Sequence, residues 1–489
     1  MKNIVKTLQC IIMLVLLAMA GCTGSTNNQT AGVSKDTRAS LTLIPPSPIT
    51  KNVKLDIRGA VWNESPADRK YKISVYMDNV DKASCLHTEE KEVPAGGNTG
   101  VRFWLDTEKY IGNRNIILVA ESGNEVKTMI EPLTIIDSKI RSTRRIDGGW
   151  FEFYHWCENE GHFWNKDIIK LTNAQWAEMM KGMHDIEMDI VVIQELFRNQ
   201  KYVGQHDMDK TGYTGFPYYE SKVYPKKEGD SLLNHTNFGK ESPNYPAWKD
   251  LAADKPLESV LDEADKLNMK VFLGVGGYAW FDFTQGSLDW SKKVAKELWE
   301  MYGHHKSFYG WYISNEVGGY LGENDERRDE LVHFFKEFTA YARSLAPDKP
   351  VMLATNCHDV KSSNGYYPKL LANLDILCPF GFHRMPEGDY TGKEVAEILQ
   401  NYCDEAGSHL WMDMEVFLFG EKNALYPRPI DQVVHDLLML DNFEKVCCYA
   451  YTGLMNASWQ TAQPGGEPTV KLYNDYMQYL VTGRDTIGY

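Results

Sequence analysis

Glu316 and Glu415 are the two residues of this sequence whose type and placement could do chemistry together. A carboxyl kept protonated can donate to a leaving group while a second, kept ionised, attacks from the other side. The two stand 415 − 316 = 99 residues apart, so only separate structural elements could bring them face to face. Glu316 closes the run Gly310-Trp311-Tyr312-Ile313-Ser314-Asn315-Glu316, and Glu415 closes Trp411-Met412-Asp413-Met414-Glu415. Both runs are largely apolar and short, and read as buried strands that end in a carboxylate. The dipeptide Asn-Glu itself carries little, because it recurs at 63–64, 124–125 and 159–160. Position in the chain carries the weight.

That position follows from a rhythm beginning at Asp147. Strand-like runs at 150–155, 190–194, 270–275, 309–314, 351–355, 376–380, 409–414 and 446–451 alternate with amphipathic helical stretches. The stretches are 172–187, 257–267, 289–302, 327–345, 367–373, 393–406, 429–443 and 468–481, the first opening with Thr172 and Gln175 in capping-box spacing. Eight such alternations predict an α/β chain whose residues 147–482 form a (β/α)8 TIM barrel. An open doubly wound sheet would need a glycine-rich phosphate turn after its first strand, and none is present.

A barrel keeps its chemistry at the C-terminal ends of its strands. Glu316 then follows strand four, with Asn315 beside it, and Glu415 follows strand seven. The other ends deliver His155, Glu195, Trp280, His358, His383 with Arg384, and Tyr451 with Trp459. The aromatic-rich loop from Phe197 to Trp248 reads as a lid or cleft wall.

An Asn-Glu after strand four and a Glu after strand seven of a β/α barrel resemble the clan A retaining glycoside hydrolases. The resemblance covers residues 147–480 at the level of strand order and these two stations. It implies Glu316 as acid/base, Glu415 as nucleophile and Asn315 as a donor to the sugar 2-hydroxyl. It implies hydrolysis of an oligo- or polysaccharide through a covalent intermediate, with the two carboxyls roughly 5–5.5 Å apart. Trp459 resembles the platform ring beneath the sugar, and His383 is placed to orient Glu415. His155, Trp280, His358 and Tyr451 are candidate subsite residues. Two alternatives stand beside this reading. A glycan-binding protein without turnover would use the same mouth. A metal-dependent hydrolase would show clustered ligands such as His-x-His after strand one, where His155 has no such partner, so neither metal nor cofactor is expected.

Ahead of the barrel, residues 40–137 show short alternating runs such as Val53, Leu55 and Ile57, separated by turn-rich pieces. Some seven strands in that length predict a small immunoglobulin-like β-sandwich. Lys2 and Lys6, an apolar run, then Ala20-Gly21-Cys22 predict a lipoprotein signal peptide over 1–21. Lipidation at Cys22 and a polar tether over 22–39 follow, with the chain held in the bacterial envelope, at the periplasmic face of the outer membrane. The whole layout is similar to glycosidase-like lipoproteins of gut Bacteroidota. A formal charge of −15 argues against nucleic acid as a partner, leaving a carbohydrate and the lipid anchor. Aromatic residues make up 12% of the chain, which suits sugar stacking but equally suits core filling. The cysteines show no CxxC spacing and are expected to be buried thiols.

Overall fold

The computed structural model describes residues 36–153, 164–194, 196–198, 216, 217, 219, 221, 222, 251–276, 281–421 and 424–487. The leader, Cys22, His155, Glu195, Trp280 and most of the 197–248 loop lie outside the described residues.

Period-two alternation at the start of this chain builds two facing sheets. Lys54–Asn63 pairs antiparallel with Thr37–Ile44 on one side and Asn98–Asp106 on the other. The second sheet runs in the order Ile49–Thr50, Glu125–Ile136, Gly112–Ser122, Arg69–Met77, Cys85–Val93. Leu55, Ile57, Tyr71, Ile73, Leu118 and Ile135 meet between them as the sandwich core.

The barrel sheet is parallel and follows chain order. Strand one is Gly148–Phe151, strand two Ile190–Ile193, strand three Lys270–Gly274 and strand four Phe308–Val317. Strand five is Val351–Thr355, strand six Ile376–Leu377 and strand eight Val446–Tyr449. Strand seven comes in two pieces, His409–Leu410 against strand six and Met412–Glu415 against strand eight, parted only by Trp411. Strand one pairs with both strand two and strand eight, so the ladder closes on itself. Helices Asn173–Asp185, Pro256–Leu267, Gln285–Tyr302, Asp325–Leu345, Tyr367–Leu371, Gly392–Ala406, Ile430–Met439 and Glu467–Ile487 each follow one strand. The capping box expected at Thr172 is present, and Thr391 with Glu394 forms another. Apolar stripes on these helices pack against the outward faces of the strands, as Val260, Leu298, Phe335 and Leu399 do.

Of the boundaries that differ from the sequence reading, two have a clear local cause. Strand one begins at Gly148 rather than 150, because Gly148 and Gly149 supply close backbone approach instead of a turn. A Cβ on Gly148 would collide with the Ile190 carbonyl. Strand four runs on through Glu316 to Val317, with a register shift against strand five between Ile313 and Val317. The shift belongs to the strand end that carries Glu316.

Inside the barrel the residue parity is regular. Trp150, Val192, Phe272, Tyr312, Met352, Cys378, Trp411 and Cys447 form one apolar plug. Trp150 and Trp411 are fully buried, and burial of rings this size contributes roughly 2–3 kcal/mol each. Ile44 of the sandwich joins this cluster from below, and the Tyr309 hydroxyl donates to the Leu43 carbonyl at 2.6 Å. The sandwich therefore stoppers the N-terminal end of the barrel.

Charged groups fasten the stopper. Arg58, 1% exposed, donates to Asp56 at 2.6 Å and to Asp375 at 2.6 Å, the latter just before strand six. Arg102 and Arg343 also reach Asp56 and Asp375. His409 Nδ1 lies 2.6 Å from Glu444, while its Nε2 is 3.9 Å from Asp56, a Coulombic contact too long for a hydrogen bond. Against the cost of burial, those two acids raise the His409 imidazole to about 9.

All six described cysteines are unpaired, and five of them are buried. Among the described residues no helix is long and apolar enough to cross a membrane.

Candidate active site

The interior parity of each strand continues past the apolar plug and decides which side chains meet at the open end. Two residues beyond Trp150 is Glu152, beyond Val192 is Gln194, and beyond Tyr312 come Ser314 and Glu316. Beyond Met352 come Ala354 and Asn356, beyond Trp411 come Asp413 and Glu415, and beyond Cys447 is Tyr449. Glu316 and Glu415 line one cavity of about 270 Å³. Its wall includes Gln194, Asn356, Arg384 and Asp413, and aromatic rings from Trp150, Phe419 and Tyr449.

Glu415 is 4% exposed and heavily bonded. Arg384 Nε donates at 2.9 Å to Oε1 and 3.0 Å to Oε2, and its Nη2 donates to Oε1 at 2.7 Å. His383 Nδ1 stands 3.0 Å from Oε2. Burial pushes this carboxyl up, but bonds to His383 and Arg384 and the Arg384 charge outweigh it and hold the group below its usual range. Glu415 is thus an ionised carboxylate in a closed space. The short 3-10 turn Phe382–Arg384 after strand six delivers both partners.

Asp413 lies two residues deeper on the same face and has the opposite character. It is 4% exposed, and burial, then the charges of Glu415 and Glu316, push its carboxyl well above the ordinary range, with Arg384 opposing. Just past the C-terminal end of strand one, Glu152 Oε1 accepts from the Tyr449 hydroxyl at 2.5 Å.

A profile of a protein family described as a domain of unknown function, DUF4434, matches residues 146–463. The chain belongs to the DUF4434 family. The match covers all eight barrel strands, and hence both Glu316 and Glu415. No curated protein is similar to this DUF4434 chain. Solved structures similar to it include a proposed alpha-L-fucosidase from Bacteroides thetaiotaomicron VPI-5482, at 16% identity and a TM-score of 0.45. That alignment covers 71% of this chain and 96% of the other. The endo-beta-1,4-mannanase from Thermotoga petrophila aligns at 14% identity and a TM-score of 0.42, covering 69% of this chain and 77% of its own. A Bacteroides uniformis beta-glucuronidase aligns at 12% identity and 0.39, covering 90% of this chain and 49% of its own.

The DUF4434 barrel brings together only part of the expected set. Glu316, Glu415 and His383 converge. Asn315 does not join them: its Nδ2 donates to the Asp282 carbonyl at 3.2 Å, and the residue is 2% exposed outside the cavity lining. Strand four continues through Glu316, so strict alternation sends Ser314 and Glu316 inward and Asn315 outward. Tyr451 also departs from expectation. Strand eight stops at Tyr449, and Tyr451 turns into the layer between strands and helices, fully buried. There its hydroxyl accepts from Gln460 at 3.4 Å, so Tyr449 occupies the mouth in its place.

His358 also sits off the cavity lining, with Nε2 3.3 Å from the Gly381 carbonyl, and burial followed by the Arg384 charge lowers its pKa. Its strand-mate Asn356 faces in. Trp459, 47% exposed, lies beyond the lining on the loop after strand eight. Arg384, Asp413, Tyr449 and Glu152 are the residues the sequence reading gave no role. Each was findable by counting in twos from a neighbouring interior residue, Arg384 excepted. Among the described residues no group of three or more His, Cys, Asp or Glu side chains is arranged to hold a metal ion.

Proposed function

We propose that this chain is a glycoside hydrolase that cleaves a sugar–oxygen bond by double displacement, with Glu415 as nucleophile and Glu316 as acid/base. One observation carries the reading: a buried carboxylate held ionised by Arg384 and His383 shares a cavity with a second carboxyl from a non-adjacent strand. Retaining hydrolysis needs one ionised and one protonated carboxyl across a single sugar ring. The negative charge of Glu415 favours the protonated form of any carboxyl facing it. Glu316 then donates to the leaving oxygen as Glu415 attacks the anomeric carbon. Water, deprotonated by Glu316, completes the second displacement.

A panel of 4-nitrophenyl glycosides assayed with wild type and Glu316→Gln tests this directly. Wild type is expected to release nitrophenol from at least one sugar, and the variant to fall by about 10²-fold in kcat. A variant as active as wild type rules Glu316 out.

The Arg384 contact adds a pH test. Glu415 must be ionised to attack, so activity is present above its folded pKa and lost as pH falls through it. Removing the guanidinium raises that pKa. Arg384→Met is therefore expected to move the acid limb of the kcat/KM profile to higher pH. An unmoved limb would contradict the role given to Arg384.

One feature favours a second reading, a glycan-binding site without turnover. Both Glu415 oxygens are engaged, Oε1 by Arg384 and Oε2 by Arg384 and His383. An ionised carboxylate offers about four lone-pair sites, and these contacts use most of them. A Glu415→Gln chain that still binds the same glycan as tightly as wild type, from a wild type that turns none over, would select this reading. The Lys2 to Cys22 pattern supports lipid anchoring at Cys22 in the cell envelope, which fatty-acid labelling of wild type against Cys22→Ser would test.

A further inference from the structure

Asp413 is a buried carboxyl of the cavity lining that the reaction above does not use. It sits on the inward face of strand seven, two residues and so roughly 6.6 Å deeper than Glu415. Beneath and around it are Trp150, Tyr312, Cys378, Trp411 and Cys447, which offer an apolar floor. The residue lines the cavity, is 96% buried by its 4% exposure, and its Oδ1 makes no hydrogen bond. A carboxyl serving only to hold the barrel together would be bonded to something, since an unsatisfied buried polar atom costs about 1–3 kcal/mol.

The charged groups that face it come from four elements. Glu415 shares its strand, Glu316 faces it from strand four, Glu152 from strand one, and Arg384 from the turn after strand six. Three of these are acids, and the guanidinium is already bound to Glu415. Burial and the first two acids favour the neutral form, which carries an O–H that can be donated.

We propose that Asp413 is a specificity-determining residue whose carboxyl O–H donates a hydrogen bond to a hydroxyl of an uncharged sugar ring seated on the cavity floor. The inference rests on the hydrolase reading and names the substrate class for the same site. A ring with its anomeric carbon at Glu415 extends toward Asp413, and a hydroxyl there supplies the missing acceptor. A sugar carboxylate at that station would instead face Glu316, Asp413 and Glu415. Among the described cavity-lining residues, the only cation it would meet is the Arg384 already paired with Glu415.

Asparagine keeps a neutral donor of the same shape, whereas alanine removes it. On the neutral 4-nitrophenyl glycoside that wild type turns over best, Asp413→Asn is expected to stay within about threefold in kcat/KM. Asp413→Ala is expected to lose roughly tenfold to a hundredfold. A set of substrates lacking one hydroxyl at a time adds a readout that misfolding would not give. For one deoxy sugar, wild type and Asp413→Ala should become equal. The inference is overturned if Asn falls as far as Ala, if no deoxy sugar closes the gap, or if turnover is confined to uronides.

If wild type hydrolyses none of the glycosides, the hydrolase reading fails, and saturation-transfer NMR with the parent monosaccharides decides the rest. Binding lost in Asp413→Ala sustains the contact. Equal binding by both proteins, or none by wild type, overturns it.

Discussion

A Glu415→Gln chain is expected to lose at least about 10³-fold in kcat, or ~4 kcal/mol of transition-state stabilisation, while melting within about 2 °C of wild type. Glutamine has the shape of the glutamate, its amide oxygen can still accept from Arg384 and its NH2 can donate to the ring nitrogen of a neutral His383, so the cavity keeps its form. What disappears is the charge that attacks the anomeric carbon and steadies the cation developing there. Arg384 is left without its counter-ion, but its side chain is 31% exposed and water can solvate it, which limits the stability cost. Steady-state assay together with thermal melting checks both halves. A variant with wild-type kcat, or one whose loss is matched by unfolding, would contradict the assignment.

The second large effect lies at the other end of the barrel. Replacing Arg58 by Met should cost about 3–5 kcal/mol in urea unfolding, because Asp56 and Asp375 stay buried while their shared cation is gone. Methionine fills similar volume, so the loss reports charge rather than a cavity. Burial raises both carboxyls, but Arg58 and its neighbours outweigh it and hold them below their ordinary range. The sign follows from that depression. Such carboxylates add stability above their unfolded pKa, and the gain is lost as pH falls through the folded value. In Arg58→Met that loss should begin at a higher pH than in wild type. Adding Asp375→Asn to the Met variant should return part of the stability, since one uncompensated charge is removed. A cost below ~1 kcal/mol would mean that Arg102 and Arg343 already suffice.

Arg58 also marks a limit of reading the chain alone. Asp56 and Arg58 alternate with Leu55 and Ile57, and that pattern reads as a strand with one face in water. The polar face instead meets strand six of the barrel, and both residues are 1% exposed or less. Alternation tells that a face is polar and does not tell what it meets. The barrel itself was legible, since strand and helix periods differ and their order could be counted. Glu316 and Glu415 came out of that count, and the structure brings both to one cavity.

The finer placements depended on parity at strand ends. The apolar run 446–451 predicts Tyr451 at the mouth, yet the last residue of strand eight is Tyr449. Asn315 was carried by the family resemblance, and a strand four that continues to Val317 turns it outward. Asp413 sits two residues before a glutamate already singled out, so interior parity alone would have found it. Arg384 is placed with His383 at the end of strand six by the strand count, but its bond to Glu415 cannot be read from parity. It lies on a 3-10 turn, where no period connects it to Glu415.

In the double displacement proposed above, Glu415 forms a covalent bond to the sugar. It can be read by mass spectrometry after incubation with a 2-deoxy-2-fluoro glycoside bearing a dinitrophenyl leaving group, made for the sugar that the aryl-glycoside panel selects. The fluorine slows both displacements, and the activated leaving group keeps the first fast enough for the intermediate to accumulate. One fluoroglycosyl mass is expected on the peptide that carries Glu415, and none in Glu415→Gln. A label on Glu316 or Asp413, or steady turnover with no label at all, would contradict that role for Glu415.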